Sequence, residues 1–328
     1  MRAIGYSEFG SAGDVLALHD IALPEPAAGE VRVKLAYSGV NPSDAKARSG
    51  SRPGVFKPAF DLVVPHSDGS GVIDAVGAGV DSARIGQRVW IWNGQWQRAF
   101  GTAAEAIVVP SEQAVALPDE VSLEAGATLG IPGLTAAHAV FGGGDVTGQI
   151  LLVSGGAGAV GHNAVQLAKW GGATVIATAS PSGFERVKAA GADHVLDYRA
   201  PDLAAQILEL IKGRGVDRAV EVEFGANAAL LAEVMRANGV IAAYGSQIDM
   251  APTLPFGPLL FKAITIDIVL VYILEAAPRA AAIAALHKAL TEGALTPAVH
   301  EIMPLENAAT AHERVMTAGR NGAVLLKI

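Results

Sequence analysis

Residues 151–171 read LLVSGGAGAVGHNAVQLAKWG. An apolar run of strand type leads into four glycines, Gly155, Gly156, Gly158 and Gly161, and a stretch with helical spacing follows. Gly156-x-Gly158-x-x-Gly161 has the spacing of a dinucleotide-binding turn, and Gly155 adds a second, overlapping frame. Glycine suits such a turn because it is tight and its backbone must approach a pyrophosphate closely. The next helix then offers unpaired N–H groups and its positive dipole end to the phosphates. This reading makes Gly155, Gly156, Ala157, Gly158, Ala159, Val160 and Gly161 candidate cofactor contacts. A glycine-rich turn can be only a turn, but a strand before it and a helix after it are the context the motif demands.

The surroundings repeat that context. After ILLVS and HNAVQLAKW come TVIATAS, GFERVKAAG, HVLDY, DLAAQILELIKG, RAVEVEF, NAALLAEVMRANG and VIAAYGS. Strands alternating with helices of this length predict βαβ units on a parallel, doubly wound sheet. Upstream, VRVKLAYSGV, GVIDAVGAGV, QRVWIW and EAIVVP are shorter β-like runs broken by Gly and Pro, which suits a compact, barrel-like β unit. Downstream of Ser246, a Pro-rich connector leads to the strand candidate ITIDIVLVYIL, two helical stretches and a closing strand, GAVLLKI. This tail is expected to rejoin the first unit, which makes the nucleotide domain an insertion.

Composition narrows the partners. The chain has 328 residues, 51% of them hydrophobic, and a net charge of -8. An acidic chain without a Lys/Arg run has no electrostatic footprint for nucleic acid. The apolar stretches are too short to span a bilayer, and the first residues lack the basic-then-apolar order of a signal peptide. Zero cysteines exclude disulfides, thiolate catalysis and any zinc site built on sulfur. The expectation is a cytoplasmic protein with a small-molecule substrate and no membrane partner.

An NAD-binding fold usually carries Asp or Glu near the end of its second strand, on the ribose. Here that strand ends Thr178-Ala179-Ser180, and the first acid beyond it is Glu185. No carboxylate is placed to repel a 2′-phosphate and Ser180 can donate to one, which favours NADPH. The alternative is that Ser180 caps the next helix. Tyr244, Gly245 and Ser246 end the fifth strand of the alternation, where switch-point reasoning puts the ligand crevice.

Several ordered stretches resemble the medium-chain dehydrogenase/reductase family, in its quinone oxidoreductase (zeta-crystallin-like) branch. They are SGVNPSDAKARSG (38–50), PHSDGSGVIDAVGAGV (65–80), GTAAEAIVVP (101–110), LGIPGLTAAHAV (129–140), GADHVLDYR (191–199), NGVIAAYGS (238–246) and NGAVLLKI (321–328). The resemblance implies a GroES-like catalytic domain over 1–121, completed by 265–328, around a Rossmann NADPH-binding domain over 122–264. It also implies an active cleft between them, and homodimers that pair a strand near Ile264–Tyr272 across two subunits. Zinc alcohol dehydrogenases of the superfamily place Cys where this chain has Asn41, His where it has Ser67, and a third ligand near Ile131. The resemblance therefore implies no metal.

Without a Lewis acid, such a site suits quinones and α,β-unsaturated carbonyls, with a hydride donated by the nicotinamide. Asn41, in the family's Asn-Pro turn, is the candidate donor to the developing oxyanion; the alternative is that it only shapes the turn. Asp44 is a candidate orienting group or a solvated turn carboxylate. His66, next to the lost zinc position, lines the cleft or donates a proton near neutral pH; the alternative is that it only bonds nearby backbone. Lys46 stands where relatives often carry a cofactor-contacting Tyr, and meets a cofactor phosphate or faces water. Thr135 resembles the family threonine near the nicotinamide, or is a helix-interior hydroxyl bonded to its own backbone. Tyr198 and Ser180 resemble family contacts to the 2′-phosphate. A Lys that often follows the serine is missing, and Arg186 or Arg199 can compensate. Trp90, Trp92 and Trp96 wall an aromatic pocket or fill the β core. The leading expectation is an NADPH-dependent quinone oxidoreductase. The alternatives are an alkenal, enone or enoyl-thioester double-bond reductase, and a crystallin-like or RNA-binding protein that keeps its NADPH site.

Overall fold

The computed structural model describes residues 1–51 and 54–328. The chain forms two compact units, Met1–Ile131 with Pro297–Ile328, and Pro132–Thr296. Both joins fall later than the sequence suggests, at 131/132 rather than 121/122 and at 296/297 rather than 264/265.

The first unit opens with β1 (Arg2–Gly5), the short helix α1 (Ala12–Val15) and β2 (Ala17–Asp20), and β1 pairs with β2. There follow β3 (Glu30–Val40), α2 (Pro42–Arg48), β4 (Asp68–Val76), β5 (Arg88–Ile91), β6 (Ala106–Pro110), β7 (Ala114–Ala116) and α3 (Leu123–Gly126). Along β3 the residues alternate. Val31, Val33 and Leu35 pack into a core with Ile73, Val89, Ile91, Ile107 and Val109, while Arg32 and Lys34 are more exposed. That period of two is what a sheet with one buried face requires. Trp90 lies within β5 and is fully buried; Trp92 is buried too and Trp96 half-buried. Helix α2 starts where the Asn-Pro turn says it should: Pro42 holds the first helical position with its φ already set, and the Asp44 carboxylate accepts the Asn41 N–H at 2.8 Å.

The second unit begins with α4 (Leu134–Phe141), entered through a wide helical turn at Leu129–Gly133 that contains Pro132. The alternation continues with β8 (Ile150–Val153), α5 (Ala159–Trp170), β9 (Thr174–Ala179), α6 (Phe184–Ala189), β10 (His194–Asp197), α7 (Leu203–Leu210), β11 (Val216–Glu221), α8 (Phe224–Val234) and β12 (Met235–Ala243). Then come α9 (Phe256–Phe261), β13 (Thr265–Ile268) and α10 (Ala276–Thr291). All six strands are parallel, in the order β10-β9-β8-β11-β12-β13. This is a Rossmann sheet, whose order reverses between β8 and β11. All four residues of β8 are buried, since helices cover both faces, and each such side chain contributes about 1.5–3 kcal/mol relative to exposure.

The run beginning at Ile264 does not leave this sheet, as the sequence suggests. It supplies the edge strand β13, in register with β12 from Val240↔Thr265 to Ala243↔Ile268, and ends in a 3₁₀ turn at Val271–Ile273. The chain re-enters the first unit with β14 (Val299–Pro304), α11 (Ala308–Arg314) and β15 (Ala323–Lys327). There the order is β14-β15-β3-β4-β5-β7, with β6 also on β3. No helix among the described residues is long and apolar enough to cross a membrane.

Candidate functional site

The glycine loop follows β8 at the point where strand order reverses. Gly155 has a φ of 68°, in the left-handed region that side chains avoid. A methyl on Gly161 would stand 2.2 Å from the Gly155 carbonyl oxygen, so the helix can pack over its own turn only with hydrogen there. A methyl on Gly158 would meet only that oxygen, at 3.5 Å, and otherwise open space. Gly158 caps α5 without a side chain, and the N–H groups of Ala157, Ala159, Val160 and Gly161 have no partner among the described residues. Open space over a glycine and a row of unpaired N–H groups at a helix start fit a cofactor diphosphate.

Two strand ends converge on this loop. The Gly156 N–H donates to the Thr178 carbonyl at 2.8 Å, and a methyl on Gly183 would meet Ala157 at 3.0 Å, which sets the end of β9 against the turn. Ser180 occupies the N-cap position of the turn Pro181–Gly183 but caps no backbone N–H; its hydroxyl lies 3.0 Å from that of Ser182. The Tyr198 N–H reaches the Ala179 carbonyl at 3.4 Å, which places Tyr198 next to Ser180. The Tyr198 ring is half exposed, and Arg199 lies over it at 4.8 Å while donating to its hydroxyl at 2.7 Å. On α6, the Arg186 Nε and Nη2 have no hydrogen-bond partner among the described residues. Burial, with Arg186 nearby, pushes His162 down to about 4.

From the other side comes the end of β11. Glu221 is buried and accepts from Ser154 Oγ at 3.1 Å, from Asn227 Nδ2 at 3.0 Å and from the Glu223 N–H at 2.5 Å. Burial pushes its carboxyl above the usual range. Tyr244 donates its N–H to the Glu221 carbonyl at 3.0 Å, and burial beside Glu221 pushes the phenol up. A methyl on Gly245 would stand 2.5 Å from the Val222 carbonyl. The Ser246 hydroxyl accepts from the Gly225 N–H at 2.9 Å and donates to the Asp249 carbonyl, so it holds the loop. Thr135 is buried within α4. Glu221, Ser154 and Asn227 carry no local motif, and sequence reading missed them.

In the first unit Asn41 and Asp44 sit together. Asn41 is 6% exposed, and its Nδ2 donates to Asp68 Oδ2 at 2.8 Å. Asp44 is a buried carboxylate, not a solvated one. Lys46 is half-buried on α2. His66 does not line a surface of its unit: it is fully buried, with a φ of 78° that turns it inward. There it belongs to a polar chain whose direction follows from counting hydrogens. Thr102 donates its only hydroxyl proton to the Asp68 carbonyl at 2.5 Å, so Ser38 must donate to Thr102 at 2.8 Å. Ser38 then accepts from His66 Nδ1, and His66 Nε2 accepts from His312 Nε2, each at 2.8 Å. The His312 Nδ1 that remains is a bare lone pair, and it has no partner among the described residues. Burial holds both imidazoles neutral, His312 down to about 3 and His66 well below its ordinary range. Ser38, Thr102, Asp68 and His312 were not legible as a group, because 246 positions separate the two histidines.

Asn41, Ser67 and Ile131 do not fit zinc, which takes imidazole, thiolate or carboxylate ligands. No group of three His, Asp or Glu side chains among the described residues is arranged to hold a metal ion.

A GroES-like β unit together with a Rossmann unit whose glycine turn is open to a diphosphate defines a dehydrogenase of the two-domain class. Residues 27–119 match the model of the alcohol dehydrogenase GroES-like domain, and residues 159–286 that of the zinc-binding dehydrogenases. The chain is 29% identical to quinone oxidoreductase of Sus scrofa over 331 residues, covering 99% of this chain and 97% of the relative. It is 33% identical to the chloroplast envelope quinone oxidoreductase homolog of Arabidopsis thaliana over 259 residues, covering 77% and 75%. Among solved structures, a mycobacterial protein complexed with NADPH matches at 29% identity and a TM-score of 0.86 over 100% of both chains. An NAD-dependent alcohol dehydrogenase matches at 30% identity and a TM-score of 0.88, again over 100% of both. The chain belongs to the medium-chain dehydrogenase/reductase family, in its zeta-crystallin-like quinone oxidoreductase branch, and it is an oxidoreductase.

Proposed function

We propose that this chain is an NADPH-dependent quinone reductase that works without a metal. The carrying observation is the end of β9. Ser180, with Tyr198 and Arg199 beside it, stands where an NAD-selective fold would carry an acid, and its hydroxyl caps no backbone. The NADPH complex of the mycobacterial relative supports the same cofactor, while the NAD-dependent relative makes selectivity the point to test.

Bound reduced nicotinamide supplies a hydride. The chain's own residues do the rest. The N–H groups of Ala157, Ala159, Val160 and Gly161 hold the diphosphate. Asn41 Nδ2 carries two hydrogens; one is committed to Asp68, and the second is offered to the acceptor oxygen as negative charge develops on it. Asp44 fixes the Asn41 backbone. Water supplies the proton that completes the hydroquinone, since His66 is enclosed and held neutral.

We infer that β13 pairs with that of a second copy. Among the described residues it has a neighbour on one side only, and Phe256, Phe261, Ile268 and Ile273 around it are exposed, an aggregation hazard if left bare.

The test combines thermal-shift titrations of NADPH and NADH with steady-state turnover. A larger shift with NADPH and faster turnover of 9,10-phenanthrenequinone than of 2-hexenal are expected. A larger shift with NADH would overturn the cofactor assignment, and preferred turnover of 2-hexenal would make the chain a double-bond reductase.

A further inference from the structure

We propose that Asp68 is a positioning residue for the reaction: its carboxyl, seated in a slot cleared by two glycines, aims the Asn41 carboxamide at the acceptor oxygen. This rests on the reading of Asn41 as the hydrogen-bond donor.

The slot is built for this side chain. Asp68 begins β4 opposite Gly39 and is 1% exposed. A methyl on Gly130 would stand 2.2 Å from Asp68 Oδ1, and one on Gly39 would stand 2.8 Å from its Cβ. Any larger residue at either position would evict the carboxyl from its place. Yet burying an acid here is costly to the fold: Oδ1 has no hydrogen-bond partner among the described residues, and only the Asn41 side chain and the Ile131 backbone N–H offset the loss of water around the carboxyl. What the acid does achieve is orientation. A carboxamide is planar, so fixing one N–H on Asp68 Oδ2 fixes the direction of the other.

Asn41 is thus gripped twice from different elements, its main chain by Asp44 on α2 and its side chain by Asp68 on β4. Asp68 is itself braced, since its carbonyl terminates the chain of hydrogen bonds that runs from His312 through His66, Ser38 and Thr102. A donor held in this way needs no reorganisation when charge develops. Burial pushes the Asp68 carboxyl well above its usual range. In either protonation state Oδ2 accepts from Asn41, so the grip on the carboxamide does not depend on the charge of the acid.

The test uses the full chain with NADPH and 9,10-phenanthrenequinone. Asn41→Ala and Asp68→Ala are each expected to lower kcat about 100-fold, with KM for NADPH within about twofold of the parent. Asp68→Asn, which keeps an oxygen to accept from Asn41, is expected to retain kcat within about threefold. The double variant should be no slower than either single, because both remove one aimed N–H. Should Asp68→Ala fail to fold, Asp68→Val, which fills the slot but accepts nothing, is read in its place. Multiplicative losses in the double variant, or a parental kcat in the apolar variant while Asn41→Ala is slow, would overturn the inference. A parental kcat in Asn41→Ala would overturn the underlying assignment of Asn41 instead.

Discussion

Two alanine substitutions in the glycine loop separate what the turn does for the fold from what it does for the cofactor. A Cβ at residue 161 would lie 2.2 Å from the Gly155 carbonyl oxygen, against a practical floor of 3.0 Å. The turn must therefore open by nearly an ångström, at a cost of about 1–3 kcal/mol. In a unit of this size that lowers the melting temperature by about 2–10 °C with no ligand present. At residue 158 the nearest atom would lie 3.5 Å away, and φ of −75° with ψ of 171° is ordinary for alanine. Gly158→Ala should then melt within about 2 °C of the parent. Its methyl nevertheless occupies the space through which a diphosphate reaches the N–H groups of α5. Loss of one charge-assisted hydrogen bond, about 1.5–3 kcal/mol, weakens NADPH about 10- to 100-fold. NADPH at about 100 times its Kd stabilises the parent by about 2.7 kcal/mol, a shift of about 5–10 °C. At the same NADPH concentration, about half to five-sixths of that shift should vanish in Gly158→Ala. A full NADPH shift in Gly158→Ala would overturn the assignment of the loop as a diphosphate cradle, and an unchanged melting temperature in Gly161→Ala would overturn the packing argument.

Ser180→Asp places a carboxylate at the end of β9 and is expected to move the NADPH-to-NADH affinity ratio about tenfold or more toward NADH, measured by fluorescence titration. Treatment with a chelator, followed by added zinc, should leave quinone turnover unchanged in both steps; loss on chelation and recovery with zinc would contradict the metal-free site. His312 titrates near 6.5 when unfolded but is held down to about 3 when folded, so below 6.5 the unfolded chain binds more protons. The stability it contributes is complete above pH 6.5 and drains as pH falls toward 3, approaching about 1.4 kcal/mol per pH unit. His312→Gln keeps a donor for His66 Nε2 and should flatten the acid side of the urea-melt profile; an unchanged slope would show that the histidine is not buried neutral.

The glycine turn, the strand–helix alternation and the parallel sheet were all legible in the chain, because each rests on local properties. A period of two or 3.6 and the conformational freedom of glycine are carried by neighbouring residues. The edge strand shows where such reading ends. The apolar run from Ile264 suits a long strand of either unit, and only pairing with β12 decides that four of its residues, Thr265–Ile268, extend the Rossmann sheet. His66 beside Ser67 reads as a cleft residue until a φ of 78° turns it inward onto Ser38 and His312. Nothing near Asn41 marks Asp68, 27 positions on, as its partner. The amino-acid order by itself determined the class of fold and the place of the glycine turn between β8 and α5. Only the tertiary structure decided which polar groups are buried together, since those partners come from distant segments brought into contact when the sheets close.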